Sequence, residues 1–450
     1  MPDMPLRTPN ETRHSTTSPR GQTRPTTAAR LAELVSPAVG GSLPIRLRAW
    51  DGSEAGPKTG PVLIVNSRRA LRRLLYSPGE LGLAEAYISG DIDVQGDLAE
   101  ALSTVWNAAK AGQVSRPHIR ITRWPKLAVA AARLGVIGLR PPAPGQAASL
   151  TGRRHSRARD KAAIAHHYDL SNDFYELLLD DSMAYSCAYY IDGPGGDLGV
   201  AQHAKLDLIC RKLGLQQGSR HLDVGCGWGS LICYAAAHFG THSTGVTLSR
   251  QQYEYVTKRV ADAGLADRVQ VRLADYRELD SGLDDGQFDA VSTIEMGEHV
   301  GDAKYPAFAG ILHRVLRPGG RALVQQMSRG ENAPGGGAFI ETYIAPDMHM
   351  KPLGTTVSLL GAAGLEVRDV HALREHYDWT VRAWAEVLEE HWSEVVEMIG
   401  EVGARVWRLY LIGGALAFAE NRMGVDQILA VRPDDAGTAS MEPSRRVWER

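Results

Sequence analysis

The residues best placed to do chemistry lie in Asp223-Val224-Gly225-Cys226-Gly227-Trp228-Gly229. An apolar run from His221 to Val224 leads into this segment, and a helical pattern follows it. Glycines there permit a tight turn and let a ligand approach the backbone. A G-x-G-x-x-G spacing would seat a pyrophosphate on the helix N-terminus. The spacing here is G-x-G-x-G with an aspartate leading it. That form suits a ligand without phosphate, in which the acid pairs with the cationic amino group of a methionyl moiety. S-adenosylmethionine is such a ligand, and Asp223, Gly225, Cys226, Gly227 and Gly229 are its expected contacts.

Two further segments fall at the ends of later strands. Thr247-Leu248-Ser249-Arg250-Gln251-Gln252 stands where many nucleotide folds carry an acid for the ribose. Ala274-Asp275-Tyr276 offers an acid and an aromatic ring to an adenine. Each alone reads as ordinary loop chemistry. In order, at successive strand ends, they favour one ligand site made from Thr247, Leu248, Ser249, Gln252, Asp275 and Tyr276.

Other reactive side chains give weaker signals. The cysteines are Cys187, Cys210, Cys226 and Cys233, with no C-x-x-C pair. Neither a disulfide framework nor a zinc site is indicated, and a reducing cytoplasm fits best. Cys187 alone reads as a core residue. His166 and His167 have no acid at metal spacing, and no metal is expected. Trp379, Trp384, Trp392 and Trp407 read as core and channel lining.

The elements that must hold these residues alternate between strand and helix from 162 to 433. Strands are expected at His221–Val224, Ser243–Val246, Val269–Leu273, Ala290–Ile294 and Ala322–Gln326. Such alternation implies an α/β fold with a parallel sheet covered on both faces. A Trp- and Leu-rich helical region from Trp379 to Phe418 would form a lid or cap. Residues 31–110 read as a small α+β unit, with a strand at Pro61–Val65 and helices at Ser67–Leu75 and Leu81–Tyr87. Residues 1–30, rich in Pro, Thr, Ser and Arg, read as a disordered tail, and 434–450 as a second tail.

Charge is unevenly placed. The chain of 450 residues has a formal net charge of −2. Between Glu100 and Asp160 there is no acid, against eleven Lys and Arg. This basic linker, 111–161, is either a solvated connector or a surface for anionic lipid. No nucleic-acid motif accompanies it. No uninterrupted apolar run reaches ~18 residues, so no transmembrane helix is expected.

Beyond these readings, the chain resembles the cyclopropane fatty-acid synthases and mycolic-acid methyltransferases. The resemblance rests on His167-Tyr168-Asp169-Leu170-Ser171-Asn172-Asp173, Tyr185-Ser186-Cys187-Ala188-Tyr189, the glycine loop, Thr247-Leu248-Ser249, Glu298-His299-Val300-Gly301 and His376-Tyr377. It implies a Rossmann-like class I methyltransferase domain with a helical cap, preceded by a small lipid-associated domain that carries Gly82 to Asp91. It adds Tyr185 and Ser186 to the cofactor contacts. The implied reaction methylates a cis double bond of an acyl chain through a carbocation, with bound bicarbonate as base. Its ligands would be Cys187, Glu298, Tyr377 and two fifth-strand residues.

Three positions depart from that pattern. Gln325-Gln326-Met327 replaces His-x-Ile, and Glu295 stands where the cyclopropane enzymes usually have Gly. An extra carboxylate would repel bicarbonate or replace it as base. Ala430 occupies the region of a C-terminal Cys, which argues against a nucleophilic thiol. The first two departures resemble the branch that makes tuberculostearic-type acids from oleoyl phospholipids through a 10-methylene product. A ring-forming synthase and a small-molecule N- or sterol C-methyltransferase are the alternatives. The implied partners are a bilayer surface at the inner face of the membrane, a flavin- or NADPH-dependent reductase, and other copies of the chain in a homo-oligomer.

Overall fold

The computed structural model describes residues 25–35, 42–110, 134–145, 147, 150–168, 171–281, 286–330 and 335–444. Most of the expected N-terminal tail and residues 111–133 of the basic linker lie outside these.

The N-terminal unit runs α1 (Thr27–Val35), β1 (Arg46–Arg48), β2 (Glu54–Ala55), β3 (Val62–Val65), α2 (Arg68–Tyr76), α3 (Glu80–Ile88), β4 (Ile92–Gln95) and α4 (Leu98–Lys110). Its sheet has the order β2-β1-β3-β4. Ser67 caps α2 by accepting from the Arg69 N–H, the bond that a Ser before a helical run supplies. Leu31, Leu47, Val65, Ala86, Tyr87 and Leu98 form its core. Thr27 to Arg30 are therefore helical, where the sequence suggested a tail, because Ala28 and Leu31 find this core to bury against.

The larger unit contains α5 (Arg157–Tyr168), α6 (Asn172–Leu178), α7 (Leu198–Leu213), β5 (Arg220–Val224), α8 (Ser230–Phe239), β6 (His242–Thr247), α9 (Arg250–Asp262), β7 (Val269–Leu273) and β8 (Phe288–Ile294). It continues through α10 (Tyr305–Val315), β9 (Leu316–Ser328), α11 (Ala338–Tyr343), α12 (Leu353–Ala362), β10 (Glu366–Ala372), α13 (Arg374–Glu390), α14 (Trp392–Ala419) and β11 (Gly424–Val431). Helix α5 opens inside the stretch read as linker. The seven-stranded sheet has the order β10-β11-β9-β8-β5-β6-β7. The five expected strands pair in parallel. The sheet as a whole is mixed, however, because β11 runs antiparallel to both β9 and β10. Successive strands leave β5 first toward β6 and then toward β8. That reversal opens a crevice at their carboxyl ends, which is where open α/β sheets bind ligands.

Helices α13 and α14 form the cap over that end. Helix α14 bends at Gly400, which has φ 75°. It is also long and apolar enough to span a membrane by length and composition alone, a test that a buried core helix passes as well. Counting uninterrupted apolar runs overlooks a helix with a few charges interspersed. Half of its most apolar 18-residue window is buried inside the fold, and Trp407, Leu411, Ala415 and Phe418 join the cap core. The N-terminal unit docks on the same helix, with Leu409 and Ile412 packed against its core. Arg405 donates to the Tyr87 carbonyl at 3.3 Å and to Asp93 at 3.1 Å.

Candidate functional site

The glycine turn forms as its spacing suggests. The N–H groups of Gly225 and Cys226 both donate to the Val246 carbonyl, at 2.9 and 3.0 Å. Gly225 has φ 86°, and a Cβ there would come within 2.9 Å of Met296 Cγ. Only glycine meets both demands without strain. The cavity over this turn is lined by Tyr185, Ser186, Lys205, Asp223, Gly225, Cys226, Gly227, Thr247, Leu248, Gln252, Tyr276 and Glu295, among others.

Asp223 is buried and accepts from Ser292 Oγ at 2.6 Å. Burial pushes its carboxyl up to about 6, against the pull of that bond and of Lys205. Lys205, from α7, is equally buried, lines the same cavity and donates to Ser186 Oγ at 2.9 Å. An anion and a cation thus face one cavity, matching the charges of a methionyl zwitterion. Thr247 Oγ donates to Gln252 at 2.8 Å and fixes that amide at the cavity wall. Ser249 caps α9 by accepting from the Gln252 N–H, so its part is to shape the turn. Tyr276 lines the cavity, whereas the Asp275 carboxylate is engaged by Arg277 Nε at 2.7 Å. Arg277 also reaches Asp160 of α5 at 3.0 Å, and both residues line the cavity rim.

Glu295 forms the other half of the site. Its Oε1 accepts from the Cys187 N–H at 2.9 Å and from Gln325 Nε2 at 2.9 Å, and its Oε2 accepts from the Tyr377 hydroxyl. The structure therefore brings Cys187, Glu295, Gln325 and Tyr377 into one cluster. Cys187 contributes its backbone; its thiol points to the Ala188 and Leu373 carbonyls, and burial pushes the thiol pKa well up. Burial also raises Glu295, against its donors and Lys205. Glu295 has φ 53°, in the left-handed region. Holding a non-glycine residue there costs on the order of 1–2 kcal/mol, a strain that persists where the surroundings over-determine it. Here the donors converging on its carboxylate supply that constraint.

Glu298 lies beside this cluster, buried, with Oε1 accepting from the Met327 N–H. Its Oε2 has no hydrogen-bond partner among the described residues. Burial, and then the charge of Glu295, push its carboxyl from 4.5 up to about 8. The fold thus keeps a proton that the unfolded chain releases near pH 4.5. The stabilisation is complete below that pH and is lost as pH rises through about 8. Glu298→Gln, which needs no proton, should melt higher than the parent by a gap that widens from pH 5 to pH 8, reaching roughly 2–5 °C. Scanning fluorimetry across that range measures it, and a gap that stays constant with pH would refute the assignment.

Bicarbonate, the anion implied by the sequence resemblance, does not fit. The groups that would hold it, Cys187 N–H, Gln325, Tyr377 and Met327 N–H, already donate to Glu295 or Glu298. Tyr185 on the cavity wall is backed by the cap aromatics. The Tyr185 ring lies 5.2 Å from Trp384 and 6.1 Å from Trp407, and its hydroxyl donates to Tyr410 at 3.1 Å. Lys205 and Tyr410 were not singled out in the sequence. Only the helical phase of α7 and α14, facing the sheet and the cap, marks them as inward.

With this geometry in place, likeness to known proteins adds to it. A family model described as mycolic acid cyclopropane synthetase matches residues 155–428. A probable fatty acid methyltransferase of Mycobacterium tuberculosis is 38% identical over 91% of this chain and 96% of its own length. The tuberculostearic acid methyltransferase of the same organism is 32% identical over 87% of this chain and 88% of its own. Among solved structures, a mycolic acid cyclopropane synthase complexed with SAH and CTAB superposes with a TM-score of 0.56 at 31% identity, covering 60% of this chain and 97% of that one.

Proposed function

Given that the chain belongs to the mycolic acid cyclopropane synthetase family and is an S-adenosylmethionine-dependent methyltransferase, we propose that it methylates the cis double bond of oleoyl chains in membrane phospholipids and releases a 10-methylene product. The observation that carries this reading is Glu295, a carboxylate built into the position where the family's bicarbonate would stand.

Bound S-adenosylmethionine supplies an electrophilic methyl group. In the residues' own terms, Asp223 pairs with the methionyl ammonium and Lys205 with its carboxylate, while the glycine turn lets the ligand lie against the backbone. An alkene is a poor nucleophile, so this fixed geometry provides much of the rate. The alkene π pair forms the new C–C bond, and the C–S bonding pair stays on sulfur. The acyl chain then carries the positive charge. The ring of Tyr185, on the cavity wall, can present its π face to that charge, and Trp384 and Trp407 pack behind it and keep water out. A hydride shift moves the cation to the methyl-bearing carbon. Glu295 Oε2 then takes a proton from the new methyl group, and its C–H pair becomes the exomethylene double bond. The likeness to the tuberculostearic acid methyltransferase and the pairing of Glu295 with Gln325 support this outcome over ring closure.

The product keeps a double bond, so the 10-methyl acid would require a hydride from a separate flavin- or NADPH-dependent reductase. The substrate would be reached peripherally, at the inner face of the membrane. On the N-terminal unit Leu75, Tyr76, Ile137 and Leu139 are 55%, 48%, 64% and 89% exposed. Tyr76 donates to the Gly138 carbonyl, and Arg72 to the carbonyls of Gly135 and Val136, so apolar and cationic groups share one face. Such a face suits an anionic bilayer.

Methyl-labelled S-adenosylmethionine, supplied with oleoyl-phospholipid vesicles with or without anionic lipid, tests the substrate. Label is expected in the acyl chain, and more with anionic lipid; label in a soluble product would sink the reading. Gas chromatography–mass spectrometry of the released acids should show 10-methylene stearate. A cyclopropane acid would overturn the product assignment.

A further inference from the structure

Behind Glu295 a line of buried polar side chains crosses the sheet, and the reaction as described above does not use it. Gln325 on β9 donates from Nε2 to Glu295 Oε1 at 2.9 Å. Its cross-strand partner Gln427 on β11 donates from Nε2 to Gln325 Oε1 at 2.9 Å. Lys212 of α7 donates from Nζ to Gln427 Oε1 at 2.9 Å. The Lys212 ammonium also meets His371 Nδ1 at 3.1 Å and Asp369 at 3.5 Å, both on β10. Gln325 and Gln427 are 0% exposed and Lys212 is 1% exposed.

The order of donors along this line is dictated from its far end. An amide side chain has one oxygen and one NH2 group and can face a neighbour with either. An ammonium has donors only, so Gln427 must turn its oxygen to Lys212. Its NH2 then faces Gln325, which must answer with its own oxygen. The Gln325 NH2 is left to face Glu295. Oε1 of Glu295 thus meets two donors that cannot become acceptors, the Gln325 amide and the Cys187 N–H. Oε2 meets the Tyr377 hydroxyl, which can rotate from donating to accepting. A proton arriving at Glu295 has one oxygen open to it.

We propose that Lys212 and Gln427 are positioning residues, which fix the direction of the Gln325 amide and so direct proton uptake by Glu295 to Oε2. The proposal rests on the reading of Glu295 as the base. Other titratable groups facing Glu295 are Lys205 of α7, Tyr377 of α13, Tyr410 of α14, the Cys187 thiol and Glu298. None is altered in the test below.

Gln427→Glu reverses the line while keeping its shape. The introduced carboxylate pairs with Lys212 but offers only acceptors to Gln325. The Gln325 NH2 must turn to it, and the Gln325 carbonyl then faces Glu295. Glu295 keeps that bond only by donating, so it is held protonated. The acidic limb of the kcat–pH profile on oleoyl-phospholipid vesicles should move up by about one pH unit or more. The KM for S-adenosylmethionine should stay within about twofold, because Gln427, Gln325 and Lys212 do not themselves line the cofactor cavity. Gln427→Leu removes the link without adding charge and should also move the limb up, by less. Melting curves confirm that each variant folds. A limb unmoved in both variants overturns the proposal. A limb moved by Gln427→Glu alone also overturns it, since added charge rather than amide direction would be acting. Activity surviving in Glu295→Gln removes the premise itself, an outcome separate from either.

Discussion

Glu295→Gln is expected to lower kcat by about 100- to 10,000-fold while leaving S-adenosylmethionine affinity within a few-fold of the parent. The change is isosteric. The amide oxygen can still accept from the Cys187 N–H and the Gln325 amide, and the new NH2 can face Tyr377 once its hydroxyl turns. What is lost is the ability to take a proton. Methyl transfer without a base leaves a cation that must collapse backward or trap water. The variant should therefore bind cofactor normally in calorimetry and turn over slowly in the vesicle assay. A variant within about tenfold of the parent would show that the proton goes elsewhere.

The second large effect concerns Lys205. Its ammonium is buried beside Ser186 and faces the cavity with Asp223. Lys205→Met should weaken S-adenosylmethionine binding by roughly 30- to 300-fold, the loss of a desolvated charge-assisted contact. The same change should leave the melting temperature of the free protein nearly level, because the relieved cost of burying the ammonium offsets the loss of its bond to Ser186 and of its pull on Asp223 and Glu295. Burial already lowers the Lys205 pKa, so the charge is held at a cost in the free protein. A large loss of binding at a nearly level melting temperature distinguishes a ligand contact from a structural one. Parallel losses in both would assign Lys205 to the fold.

Much of the cofactor half of this site is legible in the sequence because it is local. The glycine spacing, Asp223 and the Thr247-to-Gln252 turn each report their own backbone geometry, and all appear where the strand pattern puts them. Glu295 and Gln325 are legible as departures from a family pattern, yet that pattern alone leaves the base role between bicarbonate and Glu295. What separates the two is tertiary. It depends on what meets Cys187 and Tyr377, residues about 110 and 80 positions away in the chain from Glu295, whose contacts arise only when α13 packs over the sheet. Lys205 and Lys212 are harder still. A lysine taken alone reads as solvent-facing, and only the helical phase they share with Leu208 and Ile209 turns them inward, to Ser186 and Gln427. Strands β10 and β11 escape the pattern for a related reason. Glu366–Ala372 is an edge strand of mixed polarity, and β11 carries Asp426 and Gln427 into the interior.

Helix α14 is a party wall. From one side its Trp407 and Tyr410 back Tyr185, which lines the cavity. From the other, Arg405, Leu409 and Ile412 support the neighbouring unit. Walls of this kind carry load from both tenants. Neither unit can be exchanged for a foreign counterpart without refitting the shared surface, and a substitution that tilts the helix for the sake of one is felt at once by the other. Gly400 gives the wall its bend, between Val395, which already joins the cap core, and the stretch that carries Trp407, Tyr410 and the contacts to the neighbouring unit.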